Sequence, residues 1–225
     1  MALKPQVAPD INSVKMIDGC TSVRGYQNYD IDGDYIDPQD LGHSWANSFY
    51  KFHTVMDVID TLEGVKTYAD LGCNMGMYVF ANRMDSGFES TGYDFETKYI
   101  DVCNQINDEY GFGCTFSSAN FSAVDEKYDL VTALGLIHHL YHHTEEYGNL
   151  SLILDDLAEM TNKYLILEFP TEKDPKARKW VNMEGRVNYG EYSERLLLEF
   201  ANKRFSSVTS VERVHPDRPI FLMVK

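Results

Sequence analysis

The chain has 225 residues, 44% of them hydrophobic and 13% aromatic, proportions that suit one large folded domain with a buried core and exclude a disordered or repetitive chain. Twenty basic against 35 acidic side chains leave a net charge of 20 − 35 = −15, which disfavours long-range attraction to nucleic-acid phosphates. The longest apolar stretch, Leu130 to Ile137 interrupted by Thr132, is too short to span a bilayer, and MALKPQVAPD lacks the apolar core of a signal peptide. A soluble, cytoplasmic protein with no membrane partner is expected.

In chain order, residues 1–43 read as an irregular N-terminal segment, with Pro5, Pro9, Pro38 and several glycines, and as a candidate lid. Trp45, Phe49, Phe52, Met56 and Ile59 then step by three and four, predicting a helix near 44–62 capped by Ser44 and stopped by Gly64. KTYADLG (66–72) reads as a buried strand, MYVFANRM (77–84) as a helix stopped near Gly87, and ESTGYD (89–94) as a strand. Tyr99, Val102, Cys103, Ile106 and Tyr110 form a helical stripe ended by Gly111. CTFSS (114–118) and YDLVTALG (128–135) are further strands. Leu150, Ile153, Leu154 and Leu157 mark a helix, and YLILEF (164–169) a strand cut by Pro170.

After a helix near 191–203, VTSVERV (208–214) and PIFLMVK (219–225) are separated by a short link, which predicts a hairpin. The whole pattern predicts an α/β fold. It is a Rossmann-like, seven-stranded, mostly parallel sheet with helices on both faces and an antiparallel last strand, and residues 44–225 form the main domain. Cysteines at 20, 73, 103 and 114 form no CxxC pair and are expected to be reduced. The basic cluster KDPKARKW (173–180) reads as a solvated loop or a substrate-facing lid.

Chemistry concentrates after the first buried strand, in Asp70-Leu71-Gly72-Cys73-Asn74-Met75-Gly76. Gly72 and Gly76 permit a sharp turn and close approach of a ligand to backbone. Asn74 stands between them, and asparagine tolerates left-handed conformations better than most residues. The next strand ends at Asp94, 94 − 76 = 18 residues after Gly76, where a carboxylate can accept both hydroxyls of a ribose. Asp94 also suits the start of the following helix as an N-cap. The GxGxxG run of dinucleotide sites is missing, which disfavours a nicotinamide oxidoreductase.

DLGCNMG resembles the first motif of class I S-adenosylmethionine-dependent methyltransferases, with Asn74 in place of the middle glycine. The resemblance covers roughly residues 66–225 and includes the order of elements. It implies that S-adenosyl-L-methionine is the cofactor, with Asp70 near its amino group and Gly72, Cys73, Asn74 and Gly76 forming the loop around it. It further implies that Asp94 holds the ribose, Phe95 packs on the adenine, and Asn120 with Phe121 stands near the adenine amine. Leu134 and the following LIHHL occupy the loop beside the methyl group, and Glu168 ends strand five. LIHHL with the later LILEFPTEKDP is similar to a branch of methyltransferases carrying IHHL…EF-x-x-x-x-D. YQNYDIDG (26–33) resembles tRNA wobble-uridine modification enzymes. Tyr26, Trp45, Tyr50 and Lys51 are candidates to close over the site, or plain packing and surface residues.

Four of the seven histidines fall between Leu134 and Thr144. Within one helix His138 would share a face with His142, and His139 with His143, as zinc ligands do. No zincin glutamate follows the first of them, and Gly135 supplies no acid before it, so no metal is expected. His138 or His139 is expected to be the catalytic base or to line the pocket, with Glu168 as a second candidate. His142 and His143, next to Glu145 and Glu146, are expected to be solvated. Taken together, the expected activity is O- or N-methylation of a small-molecule acceptor by in-line displacement. The alternatives are a tRNA or other RNA methyltransferase, or a non-catalytic S-adenosylmethionine-binding module.

Overall fold

The computed structural model describes residues 3–5, 15–17, 20–23, 27, 29–31, 43–144, 147, 149–175, 191–211 and 215–225. For residues 3–31 other than Gln27, and for 43–49, 121 and 143, that description covers the backbone alone. Two compact units make up the chain, Met1–Ala123 and Val124–Lys225.

The first unit opens with a four-stranded antiparallel sheet of β1 (Leu3–Pro5), β2 (Lys15–Ile17), β3 (Cys20–Val23) and β4 (Tyr29–Ile31), in the order β1-β4-β3-β2. This corrects the expectation of an irregular N-terminal segment. Its strands are only three or four residues long, too short for an alternation to announce them, although β2 and β3 form a tight hairpin in which Ile17 pairs with Cys20. Helix α1 (His43–Asp60) follows and buries Phe52, Met56 and Ile59, the later part of the expected stripe, together with Val55.

Strands β5 (Thr67–Leu71), β6 (Glu89–Asp94) and β7 (Thr115–Ser118) pair in parallel. Tyr68, Ala69 and Leu71 of β5 are at most 1% exposed, because helices cover both faces of a parallel sheet and its strands read as continuous apolar runs. Helix α2 (Met77–Ala81) links β5 to β6 and passes into a π-helical turn, Asn82–Ser86, where one longer helix was expected. Inside that turn Asn82 donates its side-chain amide to the Tyr78 carbonyl at 2.9 Å. Helix α3 (Thr97–Tyr110) ends at Gly111 (φ 64°), whose N–H returns to the Asn107 carbonyl. The Asn107 side chain then bonds both backbone groups of Cys114, fixing the entry to β7.

In the second unit β8 (Tyr128–Ala133) runs parallel to β9 (Thr161–Glu168). β11 (Ile220–Val224) runs antiparallel to β9 and to β10 (Ser207–Ser210). Helices α4 (Ile137–His143), α5 (Leu150–Met160) and α6 (Glu194–Ala201) complete this unit. Asn149 caps α5 and Ser193 caps α6, each accepting an N–H three residues on. Arg204 ties the two helices together by donating to Asp155 at 2.6 Å and to the Ser151 hydroxyl at 2.7 Å. The seven longer strands form one sheet in the order β10-β11-β9-β8-β5-β6-β7, mostly parallel with an antiparallel last strand, as the sequence predicts. No described helix is long and apolar enough to cross a membrane.

Candidate active site

Parallel sheets present ligand sites at the carboxyl ends of their strands, where strand order reverses. Within the first unit β6 lies beside β5, and the carboxyl ends of these two strands carry the glycine loop and Asp94. The chain leaving β5 turns through three left-handed residues, Gly72 (φ 73°), Asn74 (φ 50°) and Gly76 (φ 82°), and Asn74 is the only non-glycine with positive φ among the described residues. The asparagine in the middle position therefore keeps the turn that a glycine would make.

Backbone bonds pin this loop to the end of β6. The N–H groups of Gly72 and Cys73 both donate to the Tyr93 carbonyl, at 2.8 and 2.9 Å. The Asn74 N–H donates to Asp94 Oδ2 at 2.9 Å, while Asp94 Oδ1 accepts the Glu96 N–H at 2.9 Å. Asp94 is thus a staple between the loop and the start of α3, and the N-cap position itself is Glu96. Burial raises the Asp94 carboxyl above its ordinary value, and the backbone N–H groups of Glu96, Asn74 and Phe95 act against that rise. The two oxygens together offer four lone-pair directions, so three backbone donors leave acceptor capacity for a ligand hydroxyl.

Phe95 follows immediately and is 79% exposed, a flat apolar face beside that carboxylate. Asp70 is buried at the end of β5. Cys73 and Cys103 are buried under the loop, both within thiol hydrogen-bond range of the Asn74 carbonyl. The Cys103 thiol and burial hold the Cys73 pKa well above its ordinary value, so Cys73 is a protonated packing group, not a nucleophile. Asn120 is exposed and its carbonyl accepts the Ala123 N–H in a 3-10 turn, Phe121–Ala123.

The second unit holds the histidines. Gly135 (φ 67°) turns the chain after β8, Leu134 is half-buried, and α4 begins at Ile137. The helical phase therefore includes His138, which shares a buried face with His142, while His139 faces solvent. His142 is 6% exposed, correcting the expectation that it is solvated. Its ring packs on Tyr141 and Tyr192, at centroid separations of 5.1 and 5.4 Å. Burial, then the neighbouring His139, lowers the His138 pKa from 6.5 to about 2, so its imidazole is neutral. The rings of His138 and His139 lie 4.1 Å apart. Glu168, the last residue of β9, is buried and pairs with Ile220. Beyond it, Tyr192 donates to the Pro170 carbonyl at 2.6 Å, and Arg218 grips Asp174 through Nε (2.6 Å) and Nη2 (3.3 Å). Asp174 is the acid that closes the EF-x-x-x-x-D pattern. No His, Cys, Asp and Glu cluster suited to a metal occurs among the described residues.

Of the expected lid residues, Tyr50 is 51% exposed and Lys51 half-buried. Tyr26, the basic run after Pro175, Glu145, Glu146 and the side chains of Trp45, Phe121 and His143 lie outside the described residues. One contact was not anticipated from the sequence. Gln27 Oε1 accepts the N–H of Met77, the residue after Gly76, at 3.1 Å. Only the stretch YQNYDIDG (26–33) marks this region in the sequence, and it carries no spacing that links residue 27 to residue 77.

No protein-family model and no curated protein matches the chain. Solved structures do. The bifunctional kinase-methyltransferase WbdD aligns with a TM-score of 0.60 at 21% identity, over 81% of this chain and 42% of its own, so the chain spans less than half that protein's length. Magnesium protoporphyrin IX methyltransferase (ChlM) from Synechocystis PCC 6803, solved with bound S-adenosylmethionine, aligns at 0.58 and 19% identity over 86% of each chain. An O-methyltransferase family protein from Burkholderia thailandensis aligns at 0.55 and 14% identity, over 81% of this chain and 60% of its own. The chain has the class I methyltransferase fold.

Proposed function

We propose that the protein is an S-adenosyl-L-methionine-dependent methyltransferase that methylates an oxygen or nitrogen of a small molecule in the cytoplasm. The observation that carries this reading is Asp94. Its carboxylate accepts the Asn74 N–H on one oxygen and the Glu96 N–H on the other, with the Phe95 N–H also acting on it, has acceptor capacity left for a ribose hydroxyl, and stands beside the exposed ring of Phe95. These residues fit a nucleoside, with Phe95 against the base and the Gly72–Gly76 loop around the amino-acid end. Asp70 is the acid nearest that loop in sequence and is assigned to the ammonium. Asn120 and Phe121 are assigned to the adenine edge, and Leu134 to the methyl side. Such a cofactor supplies an electrophilic methyl group on sulfur.

The chain's part is then to orient an acceptor in line and to deal with its proton. A buried imidazole with a pKa near 2 is a poor resting place for a proton, so His138 is assigned to packing and orientation. His139, open to solvent on the same turn, is the better candidate base, with Glu168 second. The net charge of −15 favours a small acceptor over RNA.

Calorimetric titration with S-adenosylmethionine, S-adenosylhomocysteine and NAD tests the reading. Binding of the two S-adenosyl ligands and not NAD is expected. Asp94→Ala is expected to weaken that binding by roughly 10- to 100-fold, the value of hydrogen bonds to a charged group. NAD binding without S-adenosyl binding would overturn it. S-adenosyl binding with no methyl transfer to any acceptor would leave a binding module instead of an enzyme.

A further inference from the structure

We propose that Gln27 is a cofactor-positioning residue, whose side-chain amide donates to the carboxylate end of the bound ligand. The proposal rests on the S-adenosyl reading above and adds to it a residue from the N-terminal segment. A glutamine amide carries an acceptor on one side and two donors on the other. Ordinarily the two cannot be told apart, but a backbone N–H settles the matter, because it bonds only to the oxygen. The Met77 N–H at 3.1 Å therefore fixes Gln27 Oε1 against the chain. Among the described residues the –NH2 group meets no acceptor, so it is the available donor of a half-buried, already oriented side chain held at Met77, the residue after the glycine loop.

The surroundings create a demand for such a donor. The loop is bracketed by two buried acids, Asp70 at 2% and Asp94 at 8% exposure. They suit a ligand's ammonium and hydroxyls but repel its carboxylate. A neutral amide meets that carboxylate without adding a buried charge, and its orientation is fixed before the ligand arrives. The same bond brings residue 27 to the start of α2, 77 − 27 = 50 residues away in the chain.

The test compares two ligands on two variants. S-adenosylhomocysteine has the amino-acid end, whereas 5′-methylthioadenosine keeps the nucleoside and lacks it. Gln27→Glu retains an oxygen for the Met77 N–H but replaces the donor by a second, negatively charged oxygen. By calorimetry, its dissociation constant for S-adenosylhomocysteine is expected to rise roughly 10- to 100-fold, while that for 5′-methylthioadenosine stays within about twofold. Gln27→Met, which loses donor and acceptor together, is expected to weaken the first ligand more than the second. A loss shared equally by both ligands, or no loss, would overturn the proposal by making Gln27 a structural contact or a bystander. Wild-type protein that binds neither ligand would overturn the S-adenosyl reading itself, a result seen before any variant is compared.

Discussion

His138 joins stability to pH through a single side chain. Its folded pKa, about 2, lies below the ordinary 6.5 because burial penalises the imidazolium. Above pH 6.5 neither the folded nor the unfolded state holds the proton, and the residue has no effect on the balance. As pH falls through 6.5 the unfolded chain takes up a proton that the folded chain refuses. Stability then drops by about 1.4 kcal/mol per pH unit from this group alone. Urea denaturation at pH 7 and pH 5 should show roughly 2 kcal/mol more loss in the wild type than in His138→Gln. Equal losses in the two proteins would mean that the imidazole is solvated or charged in the fold. Asp94 lies on the other side of this bookkeeping. Its folded pKa is raised, so its burial opposes folding as pH climbs past the ordinary carboxylate value, and the Asn74 and Glu96 donors limit that cost.

At the scale of elements, the turn from β5 into α2 is set by Gly76, and two glycine-to-alanine changes separate its two requirements. Gly76 has φ 82°, and a Cβ there would meet Phe80 Cε2 at 2.9 Å and Cys103 Sγ and Phe116 Cε1 at 3.1 Å. Gly87 has φ 71° and nothing within 4 Å of its Cβ position. Gly87→Ala should therefore cost only the left-handed strain, about 1–2 kcal/mol. Gly76→Ala should add an overpacking penalty of roughly 1–3 kcal/mol on top. Chemical denaturation of both variants reads the difference, and equal costs would show that the ring cluster around Gly76 yields freely. This loop was legible in the sequence because its chemistry is local: an acid, two glycines and an asparagine within seven residues. The buried strands β5, β8 and β9 were legible for the same reason, as continuous apolar runs bounded by turns. The sheet β1–β4 was not, since its strands of three or four residues are too short to show an alternation and β1 pairs with β4 between residues as distant as Leu3 and Ile31. His142 was misread because the acids Glu145 and Glu146 that follow it suggest a solvated stretch, whereas α4 carries it on the buried face with His138. Gly135 turns the chain and α4 begins at Ile137, so His138 and His142 lie four residues apart within one helix. Gln27 was invisible for a further reason, since its partner is a backbone N–H that no side-chain pattern encodes.

For the whole molecule the governing quantity is the net charge of −15. Several cations are already committed to particular acids, Arg204 to Asp155, Arg218 to Asp174 and Lys163 to Asp129, and these pairs do not relieve the excess of carboxylates elsewhere. Like charges on a compact body repel, and the repulsion is larger folded than unfolded because folding brings them together. Screening is weak at 0.01 M salt, where the Debye length is about 30 Å, and strong at 0.15 M, where it is about 8 Å. Raising sodium chloride between those limits should therefore stabilise the protein, with the thermal midpoint climbing about 2–4 °C for each kcal/mol of repulsion removed. The surface ion pairs work in the opposite direction, since salt weakens them, but exposed pairs such as Lys203–Glu199 are worth only about 0–1 kcal/mol each. A midpoint that falls with salt in scanning calorimetry would show that the paired charges outweigh the unpaired acids. Potassium chloride should act as sodium chloride does at equal ionic strength, because screening depends on charge and concentration and not on which monovalent ion supplies it.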